Sequence, residues 1–189
     1  MGYDMTNVET KEKTLRVLII NMYNKNSRHV ELPMTDVELN SFMESFNPEG
    51  NCCEMDGIDV LTSINTHLTS EHKNSIANSG LDNCTIETIN KAARILQEDA
   101  NFAFILHACD SFNHALEVYT DETYTIFREV PDEETFGEEF AKHTNLFDGI
   151  SNPIIKEHFD FASFCTSLYN NEVMKDVAND IVVHLHKTH

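Results

Sequence analysis

Nine carboxylates lie between Glu117 and Glu139 (Glu117, Asp121, Glu122, Glu129, Asp132, Glu133, Glu134, Glu138 and Glu139), against the single base Arg128. Acids in a first helical turn cap the helix and favour its dipole, which accounts for Asp132, Glu133 and Glu134 without any further role. The others need another reason. Glu134 and Glu138 form a like-charge pair four residues apart, which costs a few tenths of a kcal/mol, and no Lys or Arg lies between 129 and 141 to offset it. At a rise of about 1.5 Å per residue, residues 132–139 span roughly 10 to 12 Å and carry five carboxylates, or about one charge per 2 to 2.4 Å. Duplex DNA carries about one per 1.7 Å of axis, or one per 3.4 Å on each strand. A rigid surface of comparable density fits a cleft whose Lys and Arg are arranged for DNA, so the spacing raises mimicry of a duplex.

Other chemistries find less support. Cys52-Cys53, His67 with His72, and Cys109 with His114 are conceivable zinc ligands, but neither a Cys-x-x-Cys nor a His-Glu-x-x-His spacing occurs. Core thiols and surface imidazoles are the preferred reading. Asp56-Gly57-Ile58-Asp59 lacks the alternating oxygen ligands of a calcium loop, which leaves only weak divalent-ion binding by the acidic face. The C-terminal His184, His186 and His189 form no uninterrupted run and are given no role. Six scattered Gly supply neither a phosphate loop nor a nucleophile elbow. Pro131-Asp132 and Glu71-His72-Lys73 hold the parts of a nuclease carboxylate site in reversed order. No enzyme, cofactor or metal is expected.

The whole composition points the same way. Thirteen Lys and Arg against 32 Asp and Glu give 13 − 32 = −19 over 189 residues. Ordinary phosphate-backbone binding and attraction to an anionic membrane both require bases that this surface lacks. The imbalance is concentrated: residues 1–40 carry six acids and five bases, whereas residues 41–160 carry 23 acids and six bases. The first residues show no apolar stretch behind a basic segment, and the longest apolar run, Val17–Ile20, is four residues, so neither a secretory signal nor a membrane helix is expected. Five scattered Cys then read as reduced thiols of a cytoplasmic protein, some of them in the core.

The elements that must hold these acids follow from periodicity. Leu15–Ile20, the turn-forming Asn24–Ser27 and the alternating His29–Leu32 predict a hairpin. Thr35-Asp36-Val37-Glu38 has capping-box spacing, and Leu39, Phe42, Met43 and Phe46 recur on one face of a helix that covers that hairpin and stops at Pro48-Glu49-Gly50. Ile58–Leu61 reads as a strand, and residues 65–84, polar and without period, as a connector. Thr85 opens a helix striped by Ile86, Ile89, Ala93 and Leu96, followed by two short helical segments, Phe102–Leu106 and Phe112–Tyr119. Tyr124–Glu129 alternates as a strand ended by Pro131. Asp132 caps a helix that buries Phe136 and Phe140, Asn152-Pro153 opens another, and Phe159, Phe161 and Phe164 supply aromatic core. Val173–Leu185 fits either period. The expected class is α+β, in three units: an N-terminal α+β unit over 1–82, a helical middle unit over 83–120 and a C-terminal α+β unit over 121–189.

This order of segments resembles the ArdA-type antirestriction proteins of mobile genetic elements, most clearly from Thr85 to Leu168. Cys84–Asn90 resembles the family's segment that opens its helical middle unit, Tyr124–Phe127 its following strand, and Gly137-Glu138-Glu139-Phe140 with Asn145-Leu146-Phe147 its helix and the turn after it. Ile155–Phe164 is similar to its Tyr-Ile-Asp-Tyr-x-x-Tyr signature, and residues 124–168 need no gap. Where the family continues Tyr-Gly-Arg-Asp-Leu, this chain has Phe164-Cys165-Thr166-Ser167-Leu168. The resemblance implies an elongated, dimeric, cytoplasmic protein of small tandem units that imitates bent B-form DNA and occupies the DNA-binding cleft of type I restriction-modification enzymes without covalent chemistry. The surface expected to meet that partner is carried jointly by Glu87, Glu98, Asp99, Asp110, Glu117, Asp121, Glu122, Glu129, Asp132, Glu133, Glu134, Glu138, Glu139, Asp148, Glu157 and Asp160. The alternatives are an acidic decoy of another basic protein, such as a nucleoid protein, a repressor or a different nuclease, and a salt-adapted protein with no charge-based partner.

Overall fold

A computed structural model of the chain describes residues 12–61, 67–171 and 173–186. The chain is α+β, and its contacts divide it into two units. One runs to Lys73 and resumes from Gly80 to Asn101; the other holds Asn74–Ser79 and the chain from Phe102 onward.

In the first unit, strands β1 (Leu15–Asn21), β2 (Ser27–Leu32) and β3 (Cys53–Val60) form an antiparallel sheet in the order β2-β1-β3. The hairpin pairs Leu15 with Leu32 and Ile19 with Arg28, as its alternation predicts. Leu15, Val17 and Ile19 are wholly buried, so the central strand presents one face to the core. β3 begins earlier than Ile58 because its first half is held by register rather than by hydrophobicity. The pairing slips one residue between Val17 and Ile19, a bulge that contains Gly57 at φ +77°. Helix α1 (Asp36–Phe46) starts with a complete capping box: Thr35 accepts from the Glu38 N–H, and Glu38 accepts from the Thr35 N–H at 2.7 Å.

Residues 65–84 are not simply a connector. Helix α2 (Ser70–Ala77) and a 3₁₀ turn (Leu81–Asn83) occupy most of the stretch, residues 65 and 66 lying outside the described residues. Helix α2 buries little apolar surface, chiefly Ile76, so a hydrophobic period had nothing to register. Helix α3 (Ile86–Glu98), capped by Thr85, buries Ile86, Ile89, Ala92, Ala93 and Leu96. Its buried Asn90 accepts from the Met34 N–H at 2.7 Å and donates to the Met34 carbonyl at 3.0 Å, which fixes the helix to the connection between β2 and α1.

The second unit also centres on a three-stranded antiparallel sheet. Its strands are β4 (Tyr124–Arg128), β5 (Val173–Ala178) and β6 (Ile181–Leu185), in the order β4-β6-β5, so the tail of ambiguous period is a hairpin. Helices α4 (Phe102–Ala108) and α5 (Phe112–Thr120) precede it, α6 (Glu133–His143) and α7 (Pro153–Glu157) follow β4, and α8 (Phe161–Asn171) leads into β5. The segment expected as one helical unit over 83–120 is therefore shared out, α3 to the first unit, α4 and α5 to the second.

β6 is buried on both faces. Val182 and its partner Phe127 join Phe136 and Phe140 of α6 and Cys165 and Leu168 of α8 in one cluster. On the opposite face Arg128 lies over the ring of Phe104 in α4, 5.1 Å from its centroid. Gly137 lets α6 and α8 approach: a Cβ there would sit 2.3 Å from the Phe161 carbonyl oxygen. The fully buried aromatics are Phe102, Phe104 and Phe136. Phe159, Phe161 and Phe164, expected in the core, are only half-buried and stack edge-on around Phe147 and Phe140.

Candidate partner-binding surface

The acidic surface of the second unit is built on α6. Asp132 is the N-cap, its side chain accepting from the Thr135 N–H at 2.8 Å, and Phe136 and Phe140 anchor the opposite face, each burial stabilising by about 1.5 to 3 kcal/mol. Periodicity then turns Asp132, Glu133 and Glu134 outward, and all three are exposed. The hydrogen bonds from Thr135 lower the carboxyl pKa of Asp132 below its ordinary value. Asp160, accepting from the Ser163 N–H at 2.9 Å and its hydroxyl at 2.7 Å, is lowered for the same reason. Both caps stay charged wherever the protein is folded at neutral pH.

One expectation about this helix needs correcting. No base lies between 129 and 141, but Lys142 reaches back one turn, 2.7 Å from Glu139 and 3.3 Å from Glu138, and its own pKa is raised by those two carboxylates. The pair Glu134 and Glu138 is therefore not uncompensated. Five carboxylates and the Lys142 ammonium leave a net of −4 over residues 132–142, about one charge per 4 Å at a rise of about 1.5 Å per residue. That spacing is slightly wider than the roughly 3.4 Å per charge of one DNA strand.

The other acids singled out in the sequence are spread over both units. Glu87 and Glu98 lie on α3 and Asp99 caps its C-terminus, so these three belong to the first unit. Asp110 precedes α5, Glu117 lies on it, Asp121 caps its end, and Glu122 follows in a turn. Glu129 follows β4, Asp148 lies in the segment after α6, Glu157 ends α7, and Asp160 precedes α8. Thirteen of the sixteen are exposed; Asp99, Glu138 and Glu139 are half-buried. Glu122 and Glu129 adopt φ of +53° and +58°, a left-handed conformation that residues other than Gly seldom take.

Folding of the tail adds two acids that the sequence did not single out. Asp176 and Asp180 join Asp132 and Glu133 around a cleft of about 660 Å³ floored by Phe136, Cys165 and Val182. Tyr169 donates its hydroxyl to Asp176 at 2.5 Å, and burial with that carboxylate raises the phenol pKa. Only the hairpin brings these residues alongside α6, and no local pattern signals it.

The conceivable metal ligands do not converge. Among the described residues no group of three or more His, Cys, Asp or Glu is placed to hold a metal ion. His72 Nδ1 accepts from the Thr69 N–H at 3.0 Å, His67 Nε2 meets the Leu96 carbonyl at 3.1 Å, and the tilted rings of His184 and His186 lie 5.0 Å apart; His189 lies outside the described residues. All five Cys are free, and burial pushes the thiols of Cys109 and Cys165 up to about 11. Those two belong to the core. No described helix is long and apolar enough to cross a membrane.

No family model matches this chain, and no curated protein matches it either. The geometry of its own residues therefore carries the functional reading.

Proposed function

We propose that this protein is a non-catalytic, cytoplasmic inhibitor that occupies the DNA-binding cleft of a nucleic-acid enzyme, presenting fixed carboxylates in place of backbone phosphates. The observation that carries the reading is the mounting of Asp132, Glu133 and Glu134 on a helix whose other face is packed into an aromatic core, at a net charge spacing near that of one DNA strand. A packed scaffold matters because charges held in place lose little entropy on binding. The resemblance over residues 85–168 directs the choice of partner to type I restriction-modification enzymes, and adds a homodimer. The acidic surface alone suits other basic nucleic-acid clefts equally well.

The test is DNA binding and cleavage by a purified type I enzyme with increasing amounts of this protein, across a salt series. Competitive loss of both is expected, relieved by salt or by excess DNA. Glu133→Gln alone should weaken inhibition less than threefold, since an exposed charge contributes well under 1 kcal/mol. Neutralising Asp132, Glu133, Glu134, Glu138 and Glu139 together should weaken it about ten- to a hundredfold. A folded single variant without any inhibition would sink the reading, because affinity would then reside in one group and not in a field.

A further inference from the structure

Four of the nine large apolar side chains exposed among the described residues fall within ten positions: Leu146, Ile150, Ile154 and Ile155. Singly exposed apolar residues are ordinary, but a local concentration marks a contact surface. Helix α7 buries none of its residues, and Ile154 and Ile155 are 57% and 48% exposed. The segment is nonetheless held. Asn152 caps α7, accepting from the Ile154 N–H at 3.1 Å, the Ile150 N–H donates to Phe147 at 3.0 Å, and Phe147 packs against Phe159 with ring centroids 5.1 Å apart. A fixed underside thus carries an apolar outer face that nothing in the second unit covers.

Charge decides what fits on it. Asp148, Glu157 and Asp160 flank the patch against the single base Lys156, within a unit that carries sixteen acids and five bases. A second copy would bring the same acidic rim against itself, whereas a protein surface with Lys and Arg around an apolar contact is complementary. We propose that this patch is the apolar anchor of the inhibitory complex, seated on a basic protein surface beside the phosphate-binding groups. The proposal rests on the function given above and adds a contact that DNA itself cannot make. Carboxylates would set the salt dependence and encounter rate, and the isoleucines an affinity component that salt does not screen.

Binding of the full-length protein to a purified type I restriction-modification enzyme, measured from 50 to 400 mM salt, separates the two contributions. Ile150→Ser/Ile154→Ser/Ile155→Ser should raise Kd about thirtyfold at every salt concentration, leaving the slope of log Kd against log salt unchanged. Ile154→Ser alone, at the most exposed of the three, should raise it about threefold and guards against a triple variant that misfolds. Wild-type affinity in both folded variants would overturn the anchor, as would conversion of a wild-type dimer to a monomer by the triple variant, which would mean that a second copy covers the patch. Failure of the wild-type protein to bind the enzyme at 50 mM salt is a different result, and overturns the functional reading together with the anchor.

Discussion

The two units use the same architecture for different electrostatic ends. Each places a buried strand at the centre of a three-stranded antiparallel sheet, and each carries sixteen Asp and Glu. The first has eight Lys and Arg and the second five, for net charges of −8 and −11. Bases of the first unit are built into its structure: Arg16 faces Glu31 across the hairpin at 2.6 Å, and Arg94 bridges Asp36 at 2.5 Å and the Met34 carbonyl at 2.7 Å. In the second, one lysine is divided between two carboxylates of α6. Acid content alone therefore does not distinguish a binding surface from a solvated one. What differs between the units is the number of bases set against equal numbers of acids, eight in the first and five in the second.

Three perturbations sharpen or break that contrast. The largest effect is expected from Gly137→Ala, where the added methyl meets the backbone of α8; stability in urea should fall by about 1 to 3 kcal/mol. Gly57→Ala is its counterpart in the first unit, with open space around it but φ of +77°, and should cost about 1 kcal/mol from backbone strain alone. An equal cost at the two positions would contradict the close approach of α6 and α8.

A smaller effect separates the bases. Lys142→Ala should change stability only slightly, since both of its pairs are exposed, while tightening binding to the target several-fold by releasing Glu138 and Glu139. Arg94→Ala should cost stability similarly through its lost bond to Met34, and leave binding unchanged. Unchanged binding of the Lys142 variant would show that the paired carboxylates face no cation in the complex.

The smallest effect is a difference in acid response, visible by amide exchange. In the second unit His107 meets the Val177 carbonyl at 2.9 Å, and burial holds its pKa below 6.5. Its neutral form contributes stability that is complete above pH 6.5 and declines as pH falls towards the lowered value. In the first unit the shifted acids, Glu38 and Glu71, are lowered by hydrogen bonds from Thr35 and Thr69. Their contribution persists above about 4.5 and is lost only below it. Protection around His107 should thus weaken as pH falls below 6.5, and an unchanged profile there would remove His107 as a pH-sensitive contact.

Much of the scaffold was legible because it is written in local chemistry. The box at Thr35 and Glu38, the cap at Asp132 and the stripes of α3 and α6 each require only neighbours within one or two turns. Helix α2 escaped because its sequence is polar on nearly every side, and its buried Ser75 donates to the Val177 carbonyl, a partner 102 residues away. The acids of α6 were legible as a set, but the reach of Lys142 back to Glu138 and Glu139 depends on side-chain conformation, which spacing alone does not give. Asp176 and Asp180 were invisible for a different reason: their place beside Glu133 is created by strand pairing, and pairing carries no short-range signature.

The left-handed turns at Glu122 and Glu129 bear on how this surface would change under laboratory selection. Glycine or asparagine relieves such a backbone, at a gain of up to about 1 kcal/mol, so a screen for thermal resistance alone should enrich those replacements on either side of β4. A screen that also demands capture of the target should retain glutamate. The divergence of the two lineages at these two positions would measure how strongly recognition opposes relaxation of the chain.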